Sequence, residues 1–205
     1  MGEKNHPTLE RIHTAAKAEF LEKGYRAASL RNIVKSAGVT TGAFYGYYNS
    51  KEELFAALVD EAYQYLVHRY QDSLTDFEKL KPQEQIERMG SVGKECMQEL
   101  LTYMTERRDI FLLLLQRSDG TAYATLVEDL VTMEVNATNR YCEMLRSIGK
   151  TVPEIDSRLE HILVTGMMNA YFELVIHDMS REDTARYLRE LNEFYTAGWL
   201  KVMGQ

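Results

Sequence analysis

The sequence predicts an all-α protein: an N-terminal three-helix helix-turn-helix domain, linked by a fourth helix to a larger helical bundle. Three observations carry this. Apolar residues recur at spacings of three and four along most of the chain, giving each helix one stripe to bury. Only 3 prolines and 12 glycines punctuate 205 residues, too few for the many tight turns of a sandwich or barrel. No segment alternates apolar and polar residues convincingly enough to read as a half-buried strand.

The elements follow in order. Leu9, Ile12, Ala16 and Phe20 make the stripe of a first helix, with Pro7 and Thr8 suited to its start and Gly24 to its stop. Ser29 is placed to N-cap a short second helix that turns Leu30, Ile33 and Val34 inward. Ala37-Gly38-Val39 breaks the pattern, and Thr40 caps a third helix whose inward side chain is Phe44. Ser50-Lys51-Glu52-Glu53 reads as a capping box opening a fourth helix, which buries Leu54, Phe55, Leu58, Val59 and Ala62 and runs to about residue 73. Five more helices are expected at roughly 82–104, 107–117, 121–148, 153–178 and 181–203. Pro82 and Pro153 are assigned to first-turn positions. The domain boundary is expected at 55/56.

Composition narrows the function. The net charge is -7, but residues 1–55 carry 8 Lys/Arg against 6 Asp/Glu while the remainder carries 16 against 25. A mildly basic module before an acidic body suits a protein that offers one end to phosphates. The most apolar stretch, 162–176, contains Asn169 and Glu173 and is shorter than the ~20 residues a bilayer requires. The N-terminal residues are polar and do not read as a secretory signal. Cys96 and Cys142 are 46 positions apart and match no metal or redox spacing. A reduced, cytoplasmic protein without cofactor or metal is expected. No nucleophile elbow, phosphate-cradling loop or zinc spacing appears, so catalysis is not expected.

Ser29 to Leu54 (SLRNIVKSAGVTTGAFYGYYNSKEEL) carries the functional signal. Two short helices joined by Ala-Gly-Val are what a helix-turn-helix needs: the glycine takes the turn and Val39 plugs the angle between the helices. Together with IHTAAKAEFLEKGY upstream, this pattern resembles the DNA-binding domain of TetR/AcrR-type regulators over about residues 9 to 58. The resemblance implies a sequence-specific regulator of transcription, with the third helix lying in a major groove. It implies that Thr40 caps this helix and touches a phosphate, that Thr41 and Ala43 face the bases, and that Gly42 permits close approach. Tyr45 would place its hydroxyl on a phosphate or base edge, and Tyr47 would contact a phosphate. Tyr48 would pack inward. Lys51 would hold a phosphate at the start of the fourth helix, while Ser29 and Arg31 would reach the flanking backbone. The chain departs from the family at Thr41 and Gly46, where a basic residue and a histidine or similar donor are frequent. That shifts load onto Tyr47 and Arg31.

The resemblance also implies that the acidic body dimerises and binds an effector. Leu159, Leu163, Gly166, Ala170 and Leu174, with Leu191, Phe194, Gly198 and Val202 on the final helix, form apolar faces with small residues suited to a two-fold, four-helix seam. Tyr103, Met104, Phe111, Tyr141, Met168, Tyr171 and Phe172 give a soft interior for a small, largely apolar effector. Arg107, His68, His161 and Glu173 are polar candidates to orient it. The expectation is therefore a ligand-responsive repressor binding a palindromic operator as a homodimer. The alternatives are a regulator driven by a protein partner or acting as an activator, and a helical ligand-binding protein without DNA affinity.

Overall fold

The computed structural model describes residues 6–205. Among them the chain forms ten helices and no strand: α1 (His6–Ala27), α2 (Leu30–Ser36), α3 (Thr41–Tyr45), α4 (Lys51–Glu78), α5 (Pro82–Arg88), α6 (Ser91–Glu106), α7 (Arg108–Gln116), α8 (Leu126–Ser147), α9 (Ser157–Ile176) and α10 (Arg181–Val202). No helix among the described residues is long and apolar enough to cross a membrane.

Two compact units result. The first extends to Tyr65 and takes in Arg107–Leu126. Its core is the stripe expected of the first helix: Ile12, Ala16 and Phe20 are fully buried against Leu54, Phe55 and Val59. Burying each large apolar side chain contributes about 1.5–3 kcal/mol. Phe20, Tyr25 and Phe55 meet mutually, with centroids 5.1 to 6.0 Å apart. α1 is interrupted at Gly24 (φ 73, ψ 163), the residue expected to stop it.

The expected 55/56 boundary differs from this division at two places. α4 stays with the first unit as far as Tyr65, and α7 joins it by packing along α1. The ties are local and specific: Lys17 Nζ donates to Asp109 Oδ2 at 2.6 Å, and Tyr25 N–H donates to Arg117 O at 2.9 Å. Helical periodicity shows that residues 108–116 have an inward face, without showing which core receives it.

The second unit holds Leu66–Glu106 and Val127–Gln205. α9 and α10 pack together, and α6 packs on both. Leu100, Leu101, Met104, Leu145, Val164 and Met168 make its core, each at most 2% exposed.

Four helix bounds depart from expectation, the first being α4, which runs to Glu78 rather than about 73. The span 82–104 is two helices, broken at Met89-Gly90, where Gly90 has φ +85. A Cβ there would lie 2.6 Å from Thr196 Oγ1, and Asn192 Nδ2 donates to Gly90 O at 3.1 Å, so α10 seats directly on this backbone. α8 starts at Leu126 rather than 121, because Ser118 to Thr125 is spent on turns. There the Thr121 hydroxyl donates to Ser118 O at 2.7 Å. Pro153 does not open α9. Asp156 is the cap, its carboxylate accepting from the N–H groups of Arg158 and Leu159 at 2.9 and 3.3 Å.

Candidate nucleic-acid interface and ligand cavity

The turn between α2 and α3 has the expected construction. Gly38 sits at φ +63, a conformation that costs a side-chain-bearing residue about 1–2 kcal/mol. Its N–H and that of Val39 reach back to Lys35 O and Val34 O at 3.1 and 3.2 Å, closing α2. Thr40 Oγ1 accepts from Ala43 N–H at 3.1 Å, capping α3. Ile33 and Phe44 are buried at the base, which leaves Arg31, Thr40, Thr41, Gly42 and Ala43 exposed, with Tyr45 54% exposed. Nothing lies within 4 Å of the place a Gly42 side chain would occupy. Tyr47 is half-buried.

Two residues expected to contact DNA also make bonds within the protein. The Ser29 hydroxyl makes no capping bond, although the residue does stand at the α2 N-cap. Its N–H instead donates to Glu19 Oε1 at 3.0 Å. Glu19 is a buried acid that also accepts from Asn32 Nδ2 at 3.2 Å and Lys23 Nζ at 3.0 Å. The Ser29 bond is the main reason its carboxyl titrates below the usual value, with Lys23 next.

Lys51 is the second. Its ammonium donates to the carbonyls of Tyr25, Arg26 and Ala28 at 2.6, 3.2 and 3.1 Å and lies 4.5 Å from the Tyr25 ring centroid. All three N–H groups are therefore engaged within the protein. Periodicity gives no hint of this, since the partners lie 23 to 26 positions upstream.

Tyr48 packs half-buried against α1, its hydroxyl 2.5 Å from His13 Nε2. Burial lowers the His13 pKa, and Lys17 adds to this. At the start of α4 the Ser50 hydroxyl accepts from Glu53 N–H at 3.0 Å. Glu53 reaches back to Asn49 N–H at 2.6 Å rather than to Ser50, so the capping box is half made. Glu19, Lys51 and the His13–Tyr48 pair hold α1, α2, α3 and the start of α4 in register. None was singled out in the sequence for that task, because each joins segments through space.

The second unit contains a partly open cavity of about 150 Å³. Tyr70 and Phe77 on α4, Glu134 and Tyr141 on α8, Tyr171 on α9 and Trp199 on α10 are among its lining residues. Tyr70 donates to Glu134 Oε2 at 2.6 Å. Burial raises the Glu134 pKa, and it raises the Tyr70 hydroxyl well above its ordinary value. Tyr171 is likewise pushed up to about 12 by burial.

Of the residues expected to line a ligand site, Tyr141 and Tyr171 line this cavity. Met104, Phe111, Met168 and Phe172 are packed core, at most 3% exposed. Tyr103 borders a shallow depression on α6. Arg107 and Phe111 belong to the first unit. His68, His161 and Glu173 are exposed. An inward position in a helix can pack or can border a void, and sequence spacing is the same for both.

α9 and α10 keep large apolar side chains in solvent: Leu159 is 47% exposed, Ile162 64% and Phe194 70%. Gly166 and Gly198 are exposed beside them, while Leu163, Ala170, Leu191 and Val202 are half-buried. Leu174, also expected on this seam, is buried within the chain at 5% exposure.

Comparison with known proteins agrees with this construction. Residues 12–58 match the family described as bacterial regulatory proteins, tetR family. An uncharacterized HTH-type transcriptional regulator of Bacillus subtilis, YdgC, is 39% identical over 61 residues, 30% of this chain and 31% of that protein. The HTH-type transcriptional repressor KstR2 of Mycobacterium tuberculosis is 37% identical over 71 residues, 35% of each chain. These matches span about a third of the length of those relatives.

The fold likeness extends much further. A bacterial regulatory protein of the tetR family from Rhodococcus RHA1 has a TM-score of 0.56 at 17% identity, covering 99% of this chain and 98% of that one. The fatty acid degradation regulator FadR from Bacillus halodurans gives 0.55 at 18%, covering 92% and 98%. Residues 12–58 thus carry the segment that defines the tetR family of bacterial regulatory proteins, and the chain as a whole shares the fold of these structures.

Proposed function

We propose that this protein is a homodimeric, ligand-responsive repressor that binds a palindromic operator through α3. One observation carries the DNA-binding reading. α2 and α3 bury Ile33 and Phe44 and leave Arg31, Thr40, Thr41, Gly42, Ala43 and Tyr45 exposed around a correctly built turn. Among these, Arg31 supplies the charge, and Thr41 and Ala43 supply contacts to base edges. Tyr47 adds a contact to the backbone. Ser29 and Lys51 act by holding the recognition unit in shape.

A five-residue α3 reads few base pairs, so a second copy is needed for operator specificity. The exposed Leu159, Ile162 and Phe194 on adjoining helices supply an apolar face for it, closed by two-fold symmetry. The name repressor borne by KstR2 supports the sign of regulation.

The cavity is assigned to the effector. Tyr70, Ser73, Leu74 and Phe77 line it from α4, the helix whose other end carries Lys51, so an occupant acts on a helix shared with the DNA-binding unit. It releases DNA only to the extent that it prefers the unbound conformation.

The test is titration of labelled DNA from upstream of the protein's own gene at several salt concentrations, with competitor present. Operator binding predicts retention against competitor and a steep fall with salt. Equal, weak affinity for every duplex tried refutes it.

A further inference from the structure

The lining of the second unit's cavity indicates the chemistry of its occupant, on the reading that this cavity is the effector site. Six aromatic side chains contribute to its walls, Tyr70, Phe77, Tyr141, Tyr171, Tyr195 and Trp199, alongside aliphatic and methionine side chains. Among the described residues, one carboxylate lines it, Glu134, and no lysine, arginine or histidine does. Tyr70 satisfies one oxygen of Glu134, through a bond of 2.6 Å. Ser73, Cys96, Thr138, Tyr171 and Asn192 are among the other polar side chains of the lining and none is a cation; Arg69 acts on the Cys96 thiol from outside the lining.

We propose that the cavity binds a compact organic cation, an ammonium attached to one aromatic or alkyl group. Glu134 serves as counter-charge, and the tyrosine rings form the surrounding cage. Three physical arguments converge. Glu134 is half-buried in a lining that holds no basic side chain, so a cation entering beside it supplies the countercharge the wall lacks. Tyrosine and tryptophan rings attract ammonium groups, most strongly where water is excluded. A carboxylate, phosphate or thioester-linked anion would meet Glu134 with no basic side chain to compensate, so anionic effectors are disfavoured. The volume of about 150 Å³ matches a cavity that accepts benzene, which limits the enclosed part to about one ring.

Trp199 is the single tryptophan of the chain and lines the cavity, so its fluorescence reports occupancy directly. The experiment titrates the full-length protein with three ligands of similar size: benzylammonium, benzyl alcohol and benzoate. The expected result is that benzylammonium binds roughly tenfold or more tightly than either of the others. Glu134→Gln should remove that preference by weakening benzylammonium far more than benzyl alcohol. Equal or tighter binding of benzoate or benzyl alcohol, no binding of any of the three, or an unchanged preference in a folded E134Q overturns the proposal. The wild-type comparison decides even if the variant fails to fold.

Operator release, followed in parallel by fluorescence anisotropy of labelled DNA, separates this inference from the reading beneath it. Selective binding of the cation without any change in DNA affinity keeps the ligand chemistry and refutes the effector role. Release of DNA by benzoate, with Trp199 responding, keeps the effector role and refutes the ligand chemistry.

Discussion

Replacing Lys51 by Ala distinguishes two jobs that one lysine at the start of a long helix can do. A lysine that holds a DNA phosphate contributes to affinity and to its salt dependence. The Lys51 ammonium instead donates to three carbonyls at the end of α1 and the α1–α2 junction, Tyr25, Arg26 and Ala28, at 2.6 to 3.2 Å. Hydrogen bonds involving a charged group contribute about 1.5–3 kcal/mol each, but the three here share one half-buried ammonium and do not add. The carbonyls left behind recover part of the loss from water, so the net cost is about 2 kcal/mol. For a chain of this length that lowers the melting temperature by about 4–8 °C.

The assay pairs thermal unfolding, followed by circular dichroism, with the salt dependence of binding to one fixed operator duplex. Lys51→Ala should melt earlier and keep the wild-type salt slope. An unchanged melting temperature, with a slope shallower by about one, would refute the reasoning and put Lys51 on a phosphate.

Other expectations follow from the same geometry. Arg31→Ala should show the opposite pattern, a melting temperature within about 1 °C of wild type and a slope reduced by about one, because its side chain is exposed at the recognition unit. Phe194→Glu places a charge on a residue 70% exposed in the single chain, so folding should be retained. Sedimentation should then show monomer where wild type shows dimer, and a dimer in both removes this face from the interface. Glu19 titrates below its ordinary value, chiefly through the Ser29 N–H, so its stabilisation is fully present above the unfolded carboxyl pKa of about 4.3 and disappears as pH falls through the lower folded value. Glu19→Gln should therefore destabilise at neutral pH and flatten the acid limb of a plot of melting temperature against pH. Parallel limbs in variant and wild type would count against this.

Which parts of this protein were readable in the sequence follows from the range of the interactions involved. The helix-turn-helix is built from contacts within a few positions. The Gly38 turn, the Thr40 cap on Ala43, and the inward Ile33 and Phe44 all depend on backbone geometry that neighbouring residues set. Such features leave a fixed spacing in the chain, and both the all-helical class and the exposure of Thr41, Gly42, Ala43 and Tyr45 follow from it. The exposed apolar face of α9 and α10 was partly legible for the same reason, with Leu159 and Phe194 falling on it and Leu174 turned into the core instead.

What only the tertiary structure decided depends on residues that are distant in sequence. Lys51 is committed to carbonyls 23 to 26 positions away, and α7 packs on α1 across about ninety residues. Gly90 breaks a helix because Thr196 and Asn192 arrive from α10. The cavity belongs to this class as well. Met104, Met168 and Phe172 pack solidly while Tyr70 and Tyr171 border a void, though all have the apolar helical spacing of core residues. Spacing along one helix records which way a side chain points; the position of the opposing helix decides what it meets.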